Sequence, residues 1–321
     1  MRYRMLAATT AAALVAVACG GAEPTESATS PDARPTVPAS DDNLAVAVAS
    51  FDLAVGDDQR FIAGLLTPER VGIVGGEVEM VFTPPMGTGE DVVTTTAEFL
   101  PVPGLEPETD VEGATIMEAA DGVGVYEATL DLDRPGFWEV AVTTTVDGEE
   151  RVGAASFEVL EEHQIVDVGD PAPKTETLTV DSDAAPKAAI DSRAGSDGDV
   201  PDPGLHDITI AEAMARGRPT VVVFSTPVYC VSRFCGPITD TVEDLSETYG
   251  DRAEFIHVEI WEDFNEGVLN PAVEEWILPG EGSGGEPWVF LIGADGNIAA
   301  RWDNVLDREE LVAHLDDVPA T

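Results

Sequence analysis

Two cysteines, Cys230 and Cys235, are the residues of this sequence with the most definite chemistry. Four residues separate them, and the only other cysteine is Cys19. Neighbouring cysteines can form a disulfide and exchange it, because a thiolate attacks a disulfide sulfur. Two residues five positions apart on one helix lie roughly 8–9 Å apart, which is too far for a disulfide. A Cys230–Cys235 bridge therefore requires Cys230 to lie in a loop.

The segments around the pair predict a strand before it and a helix after it. Val221 to Phe224 is a short, continuously apolar run, which is typical of a buried strand. After Gly236-Pro237, apolar residues recur on one helical face at Ile238, Val242, Leu245 and Tyr249. Proline favours the first helical position, so Cys235 is predicted just outside the helix. There the unpaired N–H groups and the helix dipole would stabilise a thiolate.

This order of strand, cysteine loop and proline-started helix resembles the active-site unit of the thioredoxin superfamily. The segment from Phe234 to Ile238 is similar to the family's Cys-Gly-Pro-Cys motif with isoleucine at the second cysteine, which makes Cys235 the attacking residue. Counted from the strand, Cys230 is the nearer match. Which sulfur attacks therefore stays open. Val223 stands where thioredoxins carry a buried aspartate.

Three further residues are predicted at the site. Glu286-Pro287, directly before an apolar run, resembles the family's cis-proline, which lies against the disulfide and holds substrate. The resemblance implies a substrate-binding role for both residues, although the Glu286 carboxylate would oppose a nearby thiolate. Arg233 lies between the cysteines, where it either favours a thiolate or is a solvent-facing loop charge.

Residues 205–321 predict alternating helices and strands. Thr209-Ile-Ala-Glu212 is a capping-box sequence that begins a helix, and residues 254–260 suit a strand parallel to the first. Two later apolar runs flank Asp295-Gly296 as a hairpin. With a short helix after Asn270 and a last helix near the C-terminus, the order is β-α-β-α-β-β-α, the order of the thioredoxin fold.

Residues 44–160 predict short antiparallel strands. Residues 77–82 and 123–130 alternate between apolar and polar side chains, and Asp147-Gly148 between two β-rich runs is a strong hairpin signal. Seven or eight such strands predict an immunoglobulin-like sandwich. The predicted fold class is thus an all-β immunoglobulin-like sandwich followed by an α/β thioredoxin-like domain.

The N-terminal residues predict export. Arg2 and Arg4 precede a short apolar stretch, and Ala16-Val17-Ala18-Cys19 resembles a bacterial lipoprotein signal, whose cysteine is acylated. Ordinary signal cleavage near the same place is the alternative. We expect a lipid anchor at Cys19 and a location at the extracytoplasmic face of the cell envelope, where disulfides persist.

Five segments follow from these patterns. They are a signal peptide at 1–18, a flexible acidic tether at 19–43, the sandwich at 44–160, a linker rich in proline and aspartate at 161–204, and the thioredoxin-like domain at 205–321.

The charge of the chain excludes several partners. It has 62 acidic and 16 basic residues, for a net charge of −46. Without Arg2 and Arg4, 14 basic residues remain, and 14 − 62 gives −48. Such a surface repels nucleic acid and anionic lipid headgroups, so we expect neither as an electrostatic partner. The sequence has no calcium-binding loop of the EF-hand kind, and we expect no cofactor and no metal ligands.

Three functions fit these features. The first is thiol–disulfide exchange through Cys230 and Cys235, with exported protein thiols or an electron-donating membrane thiol protein as partners. The second is a non-catalytic binding module in which Cys230–Cys235 is a fixed structural disulfide. The third is copper handling, because Sco-type chaperones use Cys-x-x-x-Cys-Pro and a distant histidine. Here the spacer is four residues. His206 could reach the cysteine loop, although a lone histidine in such a place is more often a surface or capping residue.

Overall fold

Residues 43–318 are described by a computed structural model, except for 88–90, 109–110, 112, 121, 183–184, 195–197 and 279–284. The predicted signal peptide, almost all of the predicted tether and the predicted lipidation site Cys19 lie outside the described residues. All described residues belong to one compact unit, Val37–Thr321.

The N-terminal part of the described chain consists of strands. They are β1 (Asn43–Val48), β2 (Gly56–Leu66), β3 (Gly72–Val74), β4 (Glu77–Thr83), β5 (Val93–Pro101), β6 (Thr115–Met117), β7 (Gly124–Leu132), β8 (Gly136–Val146) and β9 (Glu149–Val159). The predicted hairpin at Asp147-Gly148 is confirmed, since it joins β8 to β9. Both turn residues have positive φ, 51° and 87°, which is why aspartate and glycine suit this turn.

Seven of these strands close into a barrel in the order β1-β9-β8-β4-β5-β7-β2, because β2 pairs back onto β1. β1 is the closing strand. It runs parallel to β9 at Asn43 and Leu44, and antiparallel to β2 from Ala45 to Val48. The interior is aromatic. The ring centroid of Phe61 lies 4.9 Å from that of Phe82 and 5.0 Å from that of Phe157, and the centroids of Phe82 and Phe157 are 6.0 Å apart.

The C-terminal part carries the helices and a second sheet. Its strands are β10 (Thr220–Ser225), β11 (Glu254–Glu259), β12 (Trp261–Asp263), β13 (Val268–Leu269), β14 (Trp288–Ile292) and β15 (Ile298–Asp303). Its helices are α1 (Ile210–Ala215), α2 (Cys235–Tyr249), α3 (Pro271–Trp276) and α4 (Arg308–Asp316). Among the described residues, no helix has the length and apolar character needed to cross a membrane.

The second sheet has the strand order β11-β10-β14-β15. β10 is parallel to β11 and antiparallel to β14, and all six of its residues are buried. This explains its continuously apolar sequence, since a strand covered on both faces has no polar side. β12 and β13 form a separate two-stranded ribbon.

The predicted fold class is wrong. The region predicted as an immunoglobulin-like sandwich closes into one barrel, because β1 bonds to a strand on each side. The predicted α/β thioredoxin-like domain with a β-α-β-α-β-β-α core is not seen either: the protein is mostly β, with 18% helix. In addition, β12 and β13 stand between β11 and α3, which breaks the predicted order. Alternation along a strand reports which face is buried and does not report which strands pair.

The barrel and the second sheet share one apolar core. Ile62 of β2 and Val125 of β7 pack in the same cluster as Val223 of β10 and Val289 of β14. β2 is therefore buried on both faces in this region, since Phe61 points into the barrel and Ile62 packs with the second sheet.

One arginine joins the two parts through polar contacts. Arg60 of β2 donates to the Asp303 carboxylate at 2.8 Å and to the Val305 carbonyl at 2.8 Å, both beyond the barrel. Its Nε donates to the Glu127 carboxylate at 2.6 Å. The side chains of Arg60 and Asp303 are only 18% and 9% exposed, so removing the arginine leaves poorly solvated carboxylates without their cationic partner, although the Phe51 N–H still donates to Asp303.

We therefore expect Arg60→Ala to lower the free energy of unfolding by about 3 kcal/mol. Urea unfolding followed by tryptophan fluorescence measures this difference. Arg134→Ala is the matched control, because its pair with Asp133 is 38% and 58% exposed, and it should cost about 0.5 kcal/mol or less. An equal loss of unfolding free energy in the two variants would contradict the role of Arg60 in connecting the barrel to the second sheet.

Candidate functional site

The two cysteines form a disulfide at the end of the buried strand β10. β10 ends at Ser225, and the Cys230 N–H donates to the Thr226 carbonyl at 3.0 Å, which folds the following loop back on itself. Cys235 is the first residue of α2, and the two Cα atoms are 6.0 Å apart. The predicted loop position of Cys230 is confirmed. The helix begins two residues earlier than predicted, at Cys235 rather than Pro237.

The two sulfurs differ in exposure. Cys235 is 0% exposed and is covered by the core at the start of α2. Cys230 is partly exposed, and its Sγ lies 3.2 Å from the Ser232 hydroxyl. No side chain caps the first turn of α2, because the preceding Phe234 carries no acceptor. The free N–H groups of that turn and the helix dipole therefore act on the buried sulfur.

A carboxyl group completes this site. A Glu286 carboxylate oxygen and the two Sγ atoms all lie within 4.8 Å of one another. The Glu286–Pro287 peptide bond is cis, as predicted, and Pro287 is buried directly before β14. Burial raises the pKa of Glu286, and the negative charge of Glu259 raises it further. The carboxyl thus keeps its proton to a higher pH than an ordinary glutamate does.

The remaining predicted site residues are not among the three that meet here. Arg233 is exposed, has a φ of 66°, and makes no hydrogen bond or ion pair with any other described residue. Val223 is fully buried in the apolar core, so the carboxyl near the sulfurs comes from Glu286, not from β10. Cys19 lies outside the described residues. The roles predicted for these residues stay predictions.

Sequence reasoning missed a second polar cluster near the same end of the sheet. Asp191, His206 and His257 lie together with fully buried side chains. Asp191 follows the 3-10 turn at Lys187–Ala189, inside the predicted linker, and His206 ends another at Pro203–His206. His206, for which the sequence left a reach to the cysteine loop and a surface or capping position open, lies buried against Asp191 and His257. Spacings of 15 and 51 residues between the three give no recognisable motif.

The pKa values of Asp191 and His206 in this second cluster are both lowered. Burial alone would raise the pKa of Asp191, but the neighbouring His206, His257 and Arg193 side chains hold that pKa far below its usual range. Burial lowers the pKa of His206, so its imidazole tends to be neutral, although Asp191 opposes this shift. The cluster therefore combines an ionised carboxylate with a neutral ring.

A large cleft lies elsewhere on the molecule. It has a volume of about 740 Å³ and is lined by both parts of the structure, including Arg60, Trp288 and Arg301. Eight acidic residues of the lining give it a negative character: Asp52, Asp57, Asp58, Glu127, Asp167, Asp303, Asp307 and Glu310. Neither cysteine lines it. We place the candidate chemistry at the disulfide, because the cleft offers no comparable reactive group.

Comparison with known proteins adds no further assignment. No protein-family model matches this chain, and no curated protein matches it either.

The raised pKa of Glu286 predicts a pH-dependent cost in stability. Because the folded protein binds this proton more tightly than the unfolded chain, its contribution to stability falls as the pH rises from the ordinary value of 4.5 to the raised pKa. Glu286→Gln removes this dependence, so the variant should gain stability relative to the parent at pH 7 and gain none below pH 4.5.

Urea unfolding of the oxidised protein across this pH range measures the difference. Glu247→Gln removes the same charge from an exposed position on α2 and serves as the control. A parallel pH dependence in the parent and Glu286→Gln would show that Glu286 is not perturbed.

Proposed function

We propose that this protein carries out thiol–disulfide exchange through Cys230 and Cys235. The observation that carries the proposal is the asymmetry of the disulfide. One sulfur is partly exposed, the other is fully buried at the first residue of a long helix, and a carboxyl group lies within 4.8 Å of both. An exposed sulfur is open to attack, and a helix N-terminus stabilises the thiolate that leaves.

The exchange proceeds in two steps. A client thiolate attacks the Cys230 sulfur, the Cys230–Cys235 bond breaks, and its electron pair stays on Cys235 as a thiolate. A second client thiolate then attacks the client sulfur of the mixed disulfide and expels the Cys230 thiolate. The client gains a disulfide and the protein becomes a dithiol, so two electrons are transferred. The reverse sequence reduces a client disulfide.

Glu286 is placed to move the proton that this reaction needs. A protonated carboxyl close to the Cys235 sulfur can neutralise the new thiolate, and the resulting carboxylate can take a proton back in the reverse direction. Its raised pKa brings this exchange closer to neutral pH. Glu286 would thus provide the carboxyl group that is missing at Val223, where thioredoxins carry a buried aspartate.

The surface around Cys230 favours a polypeptide partner. Val228 and Val231 are 54% and 92% exposed on the same loop. Tyr229 stacks on Phe264 of the β12–β13 connection at 3.9 Å, and Phe264 is itself 43% exposed. These apolar groups suit an apolar segment that brings a protein thiol to Cys230. We propose exported proteins, or a membrane thiol protein, as partners of a lipid-anchored, extracytoplasmic molecule.

A fixed structural disulfide is the second candidate, and the complete burial of Cys235 favours it. Copper handling has less support, because His206 lies against Asp191 and His257 rather than in the group formed by Cys230, Cys235 and Glu286. The reduction potential separates exchange from a fixed bridge, since structural disulfides resist reduction and lie below about −300 mV.

We expect the Cys230–Cys235 pair to equilibrate with a glutathione buffer at a potential above about −300 mV. Thiol alkylation followed by mass spectrometry measures the reduced fraction. The Cys230→Ser/Cys235→Ser variant gives the background of the assay. A disulfide that stays fully oxidised below this potential would assign the bridge a structural role.

We also expect Cys230→Ser and Cys235→Ser to differ in the amount of mixed disulfide that they form with client proteins. Cys235→Ser leaves the exposed sulfur without its resolving partner, so it should accumulate stable mixed disulfides with clients. Cys230→Ser leaves only the buried sulfur and should accumulate few. Non-reducing electrophoresis of extracts measures the adducts, with Cys19→Ser present in every variant so that no third thiol contributes. More adducts in Cys230→Ser would reverse the roles of the two residues.

A further inference from the structure

We propose that Asp191, His206 and His257 form a closed binding site for one divalent transition-metal ion, with zinc as the expected ion. The three residues come from separate parts of the chain. Asp191 lies between two 3-10 turns, His206 ends a third, and His257 lies in β11. Two imidazoles and one carboxylate are a ligand set that suits zinc.

The distances fit a common ion. The Asp191 Oδ2 atom is 3.5 Å from His206 Nε2 and 3.6 Å from His257 Nδ1, and the three ligand atoms all lie within 4.8 Å of one another. Zinc bonds of about 2.0–2.1 Å in a tetrahedral arrangement place ligand atoms roughly 3.3 Å apart. The two distances to Asp191 need only a small contraction to meet this spacing.

The same distances are too long for good hydrogen bonds, and this leaves buried nitrogens without partners. Neither ring nitrogen of His206 has a hydrogen-bond partner among the described residues, and the same holds for His257 Nδ1. Both histidines are 1% exposed. Unpaired polar atoms at such depth are costly, and a metal ion would pair the two that face Asp191, His206 Nε2 and His257 Nδ1.

The surroundings already orient the ligands. His257 Nε2 lies 3.2 Å from the Ser225 carbonyl, to which it can only donate, so Nδ1 is the ring nitrogen left to bind an ion, and it lies on the side of Asp191. A histidine that donates its other N–H to a backbone carbonyl is the usual outer-sphere arrangement of a metal site. The Asp191 carboxylate is fixed in turn by Arg193, whose Nη2 is 2.7 Å from Oδ2.

The local charge favours a cation. Arg193 is shared by Asp191 and Asp202, each at 2.7 Å, and by Asp240 at 3.2 Å. Three carboxylates and one guanidinium sum to −2 when all are charged, which a divalent ion balances. Because the ligand side chains are fully buried, the ion would be structural and any water ligand would be enclosed with it.

Such an ion would brace the cysteine loop. The carbonyl that accepts a hydrogen bond from His257 belongs to Ser225, the last residue of β10 before that loop. Ser192, next to Asp191, accepts the Val228 N–H of the same loop at 3.2 Å. The ion would thus tie residues 191 and 206 to the edge of the sheet that presents the disulfide.

Isothermal titration with ZnCl₂ tests this proposal on the full chain with its disulfide intact, after chelator treatment. We expect one tight site per chain, and a heteronuclear spectrum of the imidazole nitrogens in which two of the four histidines shift with zinc. Asp191→Asn and His206→Asn should each weaken binding at least about 100-fold. His314→Asn and Cys230→Ser/Cys235→Ser should bind as the parent does, which keeps this result independent of thiol exchange.

Three outcomes would overturn the proposal. The first is an absence of zinc binding, and the second is an unchanged affinity in His206→Asn. The third is weak binding of many equivalents that magnesium displaces, which would be adventitious binding to a chain of net charge −46. If a variant does not fold, the histidine spectrum of the parent decides, because zinc binding that shifts neither or all four histidines is incompatible with this site.

Discussion

The backbone pairing of β10 with a parallel strand on one side and an antiparallel strand on the other brings the reactive groups of both sites to one end of the second sheet. Phe224 lies opposite Val258 of β11 and opposite Trp288 of β14. The cysteine loop follows β10 at this end, and Glu286-Pro287 precede β14 at the same end. Without this register, the sulfurs and the carboxyl would not meet.

The sequence was informative where the signal is local. The apolar run of β10, the loop position of Cys230 and the Asp147-Gly148 turn depend on neighbouring residues, and each was predicted. The barrel was not predicted, because its closure depends on β1 pairing with β9 about 100 residues away. Asp191 was not predicted either, because a short polar stretch rich in aspartate and proline is also what a solvated linker looks like.

Scarce positive charge organises much of the polar structure. The chain has 62 acidic and 16 basic residues, and Arg60, Arg193 and Arg301 each contact two or more carboxylates. Arg60 contacts Glu127 and Asp303, and Arg301 contacts Asp52 and Asp167 at 3.0 and 3.1 Å. These contacts lie where the barrel meets the second sheet, so the arginines stabilise the region where unbalanced carboxylates would otherwise repel one another.

The double-sided burial of β2 has a consequence for dissecting the molecule. Phe61 packs inside the barrel, and its neighbour Ile62 packs in the core beneath the second sheet. Cutting the chain between the two halves would therefore expose buried apolar surface on both fragments. Isolated fragments would be prone to self-association. In the intact protein, the two halves should unfold in one cooperative transition rather than one after the other.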